Sequence, residues 1–213
     1  MIKAIIFDLD GVLSDTQHLH TKVEKKILAE HGISISEKEL TRLYAGTKDG
    51  TGIRKEFEKR GLPFDLQSLL REKYKRMLTE KSTIAPVPGV IVLVDTLHKT
   101  YPLAVASGSA IGFIKLVLRK LTIARKFTVL VSANEVAEGK PDPAIFLLAA
   151  KKLGVDPKEC LVIEDAPNGV AAAKKAGMKC IAITTTHAEE DLKKADKIIH
   201  SFDEFTIAML EQP

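Results

Sequence analysis

The sequence predicts an α/β fold in which a parallel sheet carries helices on both faces and a helical segment is inserted after the first strand. Two observations predict it. Short apolar runs that end in polar or small residues alternate with helical stretches, as they do in parallel sheets. One long stretch, residues 15–82, has helical periodicity and no convincing strand. With 213 residues, 45% of them hydrophobic, the chain can form one core domain and a smaller insert.

Six apolar runs are candidate strands. The first covers residues 3–7 and leads into the letters DLDG, which are typical of a turn. Three further runs of the same character cover residues 102–106, 160–163 and 179–183. Weaker candidates cover residues 128–131 and 198–199.

Helical stretches lie between these runs. They cover residues 111–121, 143–153 and 170–176, and another runs through Leu97. The inserted segment holds four more, at residues 20–32, 36–46, 52–61 and 66–78. A proline-rich stretch at residues 84–89 predicts the return linker. We therefore predict a core domain at residues 1–14 and 84–213 and an inserted helical domain at residues 15–83.

Charge and cysteine usage narrow the class of protein. The net charge is +4, but basic residues alternate with acidic ones, which predicts solvated helix faces and no nucleic-acid partner. No apolar run approaches the roughly 20 residues of a bilayer span, and the amino terminus lacks a signal-peptide pattern, so we expect a cytoplasmic protein with no membrane partner. Cys160 and Cys180 adjoin apolar runs and are expected to be buried thiols. The scarcity of asparagine and glutamine is typical of a thermophilic source, and a monomer is the default expectation.

The residues that follow the predicted strands are chemically unusual. Ligands of open α/β sheets bind beyond the carboxyl ends of the strands, so polar residues there should converge. At or near these ends lie Asp8, Asp10, Ser107, Gly108, Lys140, Glu164 and Asp165. Four carboxylates beside one lysine cannot all stay ionised without compensation. Mg²⁺ is the simplest compensation, because it prefers oxygen ligands and combines carboxylates with a phosphate.

This equipment suits phosphoryl transfer, in which positioning and electrostatic stabilisation carry most of the catalysis. Asp8 is the candidate nucleophile, which would form an aspartyl-phosphate. Asp10 can protonate the leaving oxygen and later deprotonate a water, a role worth ~10²–10⁴-fold. Ser107, Lys140 and the backbone amides around Gly11 and Gly108 are candidate phosphate donors.

Four motifs together resemble the signature of the haloacid dehalogenase superfamily. They are DLDGV at residues 8–12, Ser107 after an apolar strand, Lys140 in GKPDP, and IEDAPNGV at residues 163–170. The inserted helices resemble the small cap of the β-phosphoglucomutase and phosphatase branch, whose core is Rossmann-like. The resemblance implies Asp8 as nucleophile, Asp10 as acid/base, and Ser107 and Lys140 as phosphate ligands. It also implies Mg²⁺ ligands at Asp8, the Asp10 carbonyl and Asp165, supported by Glu164.

The resemblance extends into the insert with two departures. Thr16 and His20 match positions that lie near the acid/base and the cap hinge in mutase-like members. Ala166 stands where the family has a serine. The arginine with which the mutase holds a second phosphate has no clean counterpart, because the corresponding stretch reads GTKDG. The candidate substitutes are Lys48, Arg54, Lys75 and Arg76.

The sequence therefore predicts a Mg²⁺-dependent phosphatase acting on small phosphomonoesters. Sugar phosphates, phosphoglycolate and nucleoside monophosphates are all open as substrates, and a sugar phosphomutase is the alternative. Dehalogenation is disfavoured, since that chemistry has no use for both Asp10 and Asp165. A non-catalytic module is disfavoured because a decayed site would have lost at least one motif. Within the insert, Phe57, Phe64 and Tyr74 are expected to form its apolar core.

Overall fold

The structure is a computed structural model that describes residues 1–211, so the last two residues of the predicted core domain lie outside it. Its centre is a six-stranded parallel sheet with the order β3-β2-β1-β4-β5-β6. The strands are β1 (Ala4–Phe7), β2 (Leu103–Ser107), β3 (Val129–Ser132), β4 (Cys160–Glu164), β5 (Lys179–Ile183) and β6 (Lys197–Ile199). The predicted parallel sheet is confirmed, and all six candidate runs are strands.

Strand bounds differ slightly from the prediction where the ladder continues further. The predicted strand 102–106 starts and ends one residue later, because Ser107 still pairs in register with Ser132 of β3. Likewise Glu164 pairs with Ala182 and is the last residue of β4. Two residues of the candidate site are therefore fixed by strand backbone.

The sheet is buried on both faces, which explains the continuous apolar runs. Successive side chains of a strand point to opposite faces. Accordingly Ile5 and Phe7 of β1 belong to one apolar core, and Ala4 and Ile6 belong to the other. The first core extends into the insert through residues such as Phe57.

Nine α-helices lie within the described residues. They are α1 (Gln17–Glu30), α2 (Glu37–Tyr44), α3 (Thr51–Glu58), α4 (Leu66–Thr79), α5 (Val90–Leu97), α6 (Ile111–Lys120), α7 (Ala144–Leu153), α8 (Pro167–Lys175) and α9 (Ala208–Glu211). Helix α8 begins three residues before the predicted start at 170, because Pro167 suits a first helical position that needs no N–H group. Ser36 and Asp65 cap α2 and α4 with their side chains, as residues of these types commonly do.

Helices α1 to α4 form the inserted segment, and no strand interrupts them between residues 17 and 79. Phe57 is buried and its ring lies 5.3 Å from that of Phe64. Tyr74 is half-buried and lies 6.2 Å from Phe113 of α6, at the boundary between the insert and the sheet-bearing part. The domain boundaries at residues 14–15 and 83–84 stay a prediction.

Cys160 and Cys180 are free, buried thiols on β4 and β5. Among the described helices, none has the length and apolar character that crossing a bilayer requires.

Candidate active site

The carboxyl ends of β1, β2 and β4 bring the predicted site residues together. Asp8 follows β1, and its backbone N–H donates to the Ile163 carbonyl of β4 at 3.0 Å. Lys140 lies in the loop before α7, and its Nζ donates to Asp8 Oδ1 and to Glu164 Oε1, both at 2.6 Å. All three side chains are buried, so these ion pairs are shielded from water.

The buried lysine is held ionised by its neighbours. Burial lowers the pKa of Lys140, but the carboxylates of Asp8 and Glu164 outweigh burial and hold that pKa above its usual value. The Ala106 carbonyl accepts a third hydrogen bond from Nζ at 3.2 Å. Lys140 is therefore a fixed positive charge beside the candidate nucleophile.

The negative charges of Asp8 and Asp165 are only partly balanced by Lys140. Burial raises the pKa of Asp8 to about 7; Lys140 opposes the rise, while Glu164 and Asp10 add to it. Burial and the charges of Glu164 and Asp8 raise the pKa of Asp165 well above its usual value. The cluster consequently favours a positively charged ligand.

The residues present fit a divalent cation. Oxygens of Asp8, Glu164 and Asp165 lie within 4.8 Å of one another. Asp165 Oδ1 is buried and has no hydrogen-bond partner within the described residues, so it is an oxygen ready for a ligand. A Cβ on Gly11 would lie 2.0 Å from Asp165 Oδ2, so any residue other than glycine would displace this carboxylate.

Glu164 has less to offer a cation directly. Its Oε1 accepts from Lys140, and its Oε2 accepts from the backbone N–H groups of Asp165 and Ala166 at 2.9 and 3.1 Å. A Cβ on Gly169 would lie 1.8 Å from Oε1, which explains the glycine at position 169 of the fourth motif. The geometry favours a supporting role, in which Glu164 holds Lys140 and the backbone at residues 165–166.

Asp10 lies in a separate hydrogen-bonding environment. Its Oδ1 accepts from the Thr16 hydroxyl and lies 3.1 Å from His20 Nε2, and its Oδ2 accepts from Ser109 Oγ at 2.9 Å. Ser107 Oγ is 3.5 Å from the same Oδ2. Burial raises the pKa of Asp10, but His20 and the hydroxyl donors outweigh burial and lower it to about 2. Asp10 is thus ionised in this arrangement.

The insert closes over these residues through the loop at 45–50. The Asp49 N–H donates to the Gly108 carbonyl at 3.1 Å, and the Asn168 side-chain amide donates to the Ala45 carbonyl at 3.2 Å. A Cβ on Gly108 would lie 2.1 Å from the Thr47 carbonyl oxygen. The absence of a side chain at Gly108 therefore permits the observed approach.

Comparison with known proteins decides the family. Residues 5–183 match the sequence model of the haloacid dehalogenase-like hydrolases. The chain belongs to this family. Fructose-1-phosphate phosphatase YqaB of Escherichia coli (strain K12) is 32% identical over 182 residues, which are 84% of this chain and 95% of that protein.

Solved structures agree in fold. CbbY from Rhodobacter sphaeroides, in complex with phosphate, has a TM-score of 0.88 at 29% identity, with 100% of each chain covered. The β-phosphoglucomutase of Clostridium difficile has a TM-score of 0.86 at 28% identity, covering 99% of this chain and 96% of that one. The predicted haloacid dehalogenase family, Rossmann-like fold and phosphatase-type enzyme class are confirmed.

A pocket beside the site is lined by Asp8, Asp10 and Ser109 and by residues of the insert. Of the cations predicted in the insert, only Lys48 lines this pocket. Its Nζ donates to two backbone carbonyls of the core at 3.2 and 3.4 Å. Arg54 pairs with a glutamate one turn along α3, and Arg76 pairs with two glutamates away from the pocket. Lys75 is exposed and does not line the pocket.

Sequence reasoning missed two hydroxyls of this hydrolase that contact the aspartates. Ser109 donates to Asp10, and Thr186 donates to Asp165 Oδ2 and, at 3.2 Å, to the Asp165 carbonyl. Thr186 comes three residues after β5, so the position rule that located the other site residues could have found it. With alanine at 166, this threonine supplies a hydroxyl to the Asp165 carboxylate.

Replacing Thr186 by valine is expected to weaken Mg²⁺ binding by ~10-fold, because the isosteric side chain no longer orients the Asp165 carboxylate. Calorimetric titration with Mg²⁺ measures the change. Thr184→Val is the matched control, since the Thr184 hydroxyl contacts His200 and not the site. Equal affinities in the two variants would contradict the positioning role of Thr186.

Mg²⁺ binding is expected to strengthen from about pH 6 to about pH 8. The pKa of Asp8, about 7, means that this carboxyl is mostly protonated at pH 6, and the cation must displace that proton; the raised pKa of Asp165 acts in the same direction. One displaced proton weakens binding by about tenfold per pH unit below the pKa. Calorimetry in buffers of different ionisation enthalpy counts the protons released. An affinity that does not change with pH would show that neither carboxyl titrates on binding.

Gly108→Ala is expected to lower the turnover of p-nitrophenyl phosphate by up to about 100-fold, because the new methyl group would displace the 45–50 loop and open the site. Gly112→Ala is the matched control, since a Cβ there meets no atom within 4 Å. Circular dichroism verifies that both variants fold. Full activity in Gly108→Ala would show that the observed loop position is not needed for turnover.

Proposed function

We propose that this hydrolase is a Mg²⁺-dependent phosphatase that hydrolyses small phosphomonoesters through an aspartyl-phosphate on Asp8. One observation carries the proposal: Asp8 accepts a hydrogen bond from the buried ammonium of Lys140, and one of its oxygens lies within 4.8 Å of an oxygen of Asp165, whose Oδ1 has no hydrogen-bond partner among the described residues. A carboxylate and a phosphate dianion repel each other, so the attack needs positive charge beside both groups. Lys140 supplies one such charge, and a cation held by Asp8 and Asp165 supplies the other.

When bound, Mg²⁺ would neutralise negative charge on the carboxylates and on the phosphoryl oxygens. The structure supports Asp8 and Asp165 as the residues that hold it, with the Asp10 carbonyl as the third protein ligand implied by the family resemblance. The pKa of Asp8 is about 7 without a cation. The positive charge of a bound cation would lower this pKa, which ionises the carboxyl as a nucleophile requires.

The first half-reaction transfers the phosphoryl group to Asp8. A carboxylate oxygen of Asp8 forms a bond to phosphorus while the ester P–O bond breaks, and Asp10 gives a proton to the leaving oxygen. The dianionic substrate raises the low pKa of Asp10 as it approaches, so this carboxyl takes up a proton from solvent before the transfer, and the second half-reaction restores that proton for the next cycle. Ser107 and the Gly108 amide are the proposed donors to the phosphoryl oxygens.

The second half-reaction releases phosphate. Asp10, again ionised, takes a proton from a water that attacks phosphorus, and the Asp8–phosphorus bond breaks. Thr16, His20 and Ser109 hold Asp10 in place for both proton transfers. Closure of the insert restricts bulk water during the first transfer.

A phosphatase is favoured over a phosphomutase by the charges of the pocket. A mutase needs a cation in the insert that is free to hold a second phosphate. Among the described lining residues, the lysines are Lys48, whose ammonium donates to backbone carbonyls, and Lys73, whose ammonium pairs with two carboxylates. The cytoplasmic location and the monomeric state stay predictions.

Phosphate release from p-nitrophenyl phosphate and from a panel of phosphometabolites, with Mg²⁺ or with EDTA, tests the proposal. We expect release that requires Mg²⁺. Absence of release from every compound would overturn the proposal and favour the mutase, which is tested with hexose phosphates and a bisphosphate primer.

A further inference from the structure

The Tyr74 side chain joins the insert to the segment that follows β2. Tyr74 lies on α4 and is half-buried, and its hydroxyl oxygen accepts a hydrogen bond from the backbone N–H of Ala110 at 2.9 Å. Ala110 directly precedes α6 and directly follows the residues that hold the phosphate donors and Ser109. The two proposed half-reactions make no use of Tyr74.

The same hydroxyl donates a hydrogen bond to the 45–50 loop, at the Asp49 carboxylate. Burial and this carboxylate raise the pKa of Tyr74 above its usual value, so the hydroxyl keeps its proton. Burial raises the pKa of Asp49, but the charge of Lys73 outweighs burial, and the hydrogen bond from Tyr74 adds to the lowering. Because a tyrosine hydroxyl can donate one hydrogen bond and accept another, it serves Asp49 and Ala110 at the same time.

These contacts close a ring of hydrogen bonds between the insert and the core. The Asp49 N–H donates to the Gly108 carbonyl at 3.1 Å, and the Asp49 carboxylate accepts from Tyr74. Tyr74 in turn accepts from Ala110, two residues after Gly108. The 45–50 loop and α4 are therefore both attached to residues 108–110. We call Asp49, Tyr74 and Ala110 the latch.

The latch is continuous with the groups that hold the acid/base. Ser109 lies between Gly108 and Ala110, and its Oγ donates to Asp10 Oδ2 at 2.9 Å. On the other side, the ring centroid of Tyr74 lies 6.2 Å from that of Phe113, and that of Phe113 lies 5.2 Å from that of His20. His20 Nε2 is 3.1 Å from Asp10 Oδ1. Both oxygens of Asp10 are therefore held by groups that adjoin the latch.

We propose that Tyr74 is a positioning residue, whose hydroxyl holds the insert closed on residues 108–110 and thereby keeps Ser109 and Asp10 in the geometry that the proton transfers need. The inference rests on the proposed phosphatase for its effect on turnover, whereas closure is a property of the folded chain. Without the hydroxyl, the Ala110 N–H and the Asp49 carboxylate each lose a partner in the closed form. The open form then gains population.

Tyr74→Phe tests the proposal, since it keeps the ring and removes the hydroxyl. Hydrogen exchange without substrate, followed by mass spectrometry, should be faster by up to about tenfold at residues 45–50 and 108–112, the effect of one lost hydrogen bond. With p-nitrophenyl phosphate and Mg²⁺, kcat should fall by about tenfold and KM should change by less than about twofold. KM should change little because the phosphoryl group is bound at the carboxyl end of the sheet, by Lys140 and the proposed cation.

Tyr101→Phe is the matched control. Tyr101 is also half-buried, packs against the apolar core and does not line the pocket beside the site. Its exchange and its kinetic constants should equal those of the wild type.

The two measurements separate the latch from the proposed phosphatase. Unchanged exchange at both segments of Tyr74→Phe would overturn the latch, whatever the activity. Faster exchange with an unchanged kcat would overturn the positioning role, because a merely structural tyrosine affects stability and not the turnover of folded enzyme. If the wild type turns over no compound, the phosphatase proposal fails and exchange alone decides: acceleration at both segments in Tyr74→Phe, and not in Tyr101→Phe, would support the latch.

Discussion

Asp8→Asn is expected to abolish phosphate release, with kcat lower by on the order of 10⁵-fold. An amide is a poor nucleophile, so no covalent phosphoryl intermediate forms. The substitution is close to isosteric and removes one of the two carboxylates that Lys140 pairs with, while the pair with Glu164 remains. Loss of activity should therefore occur in a folded protein. Release of phosphate, followed with Mg²⁺ present, measures the effect, and circular dichroism verifies the fold.

The control for this variant is Asp95→Asn, in which a partly exposed aspartate paired with Lys126 is changed in the same way. It should retain full activity. Rapid acid quench should isolate a phosphorylated wild-type enzyme and no phosphorylated Asp8→Asn protein. That result would locate the phosphoryl group on Asp8. Full activity of Asp8→Asn would reject Asp8 as the nucleophile.

The sheet and the cluster of Asp8, Lys140 and Glu164 could be predicted from the sequence for a physical reason. Parallel strands are buried on both faces and therefore appear as apolar runs, and their carboxyl ends lie at one edge. The polar residues after those runs had to converge, which is what Asp8, Lys140 and Glu164 do. Helix ends were less accessible, as the early start of α8 at Pro167 illustrates.

The buried ion pairs of Lys73 with Glu24 and Asp49 in the insert could not be predicted in this way. Glu24, Asp49 and Lys73 lie on different elements of the insert. Lys73 is 49 positions from Glu24 and 24 positions from Asp49, and no period or motif links them. Lys73 appears in the sequence as one more charge on a helix, but it is fully buried because helix packing places its ammonium between two carboxylates. Which helical charges are solvated depends on how the helices pack, and local sequence does not encode that.

Lys140→Met is expected to impair both activity and stability, because it leaves the buried carboxylates of Asp8 and Glu164 without their shared cation. Breaking a buried ion pair by removing one partner typically costs about 3–5 kcal/mol of unfolding free energy, and loss of the charge beside the phosphoryl group should lower kcat by ~10³-fold. Urea unfolding in EDTA should show the stability loss most strongly near pH 8. The stability loss should be smaller near pH 5. Without Lys140 the pKa values of the buried carboxyls rise further, so protons neutralise these groups at low pH and relieve their repulsion.

Lys152→Met is the matched control, since Lys152 forms a partly exposed pair with Glu135 and its loss should cost at most about 1 kcal/mol. Mg²⁺ should restore part of the lost stability, because it brings positive charge back to the same carboxylates. A Lys140→Met protein as stable as the control in EDTA would mean that the buried carboxylates do not depend on this lysine.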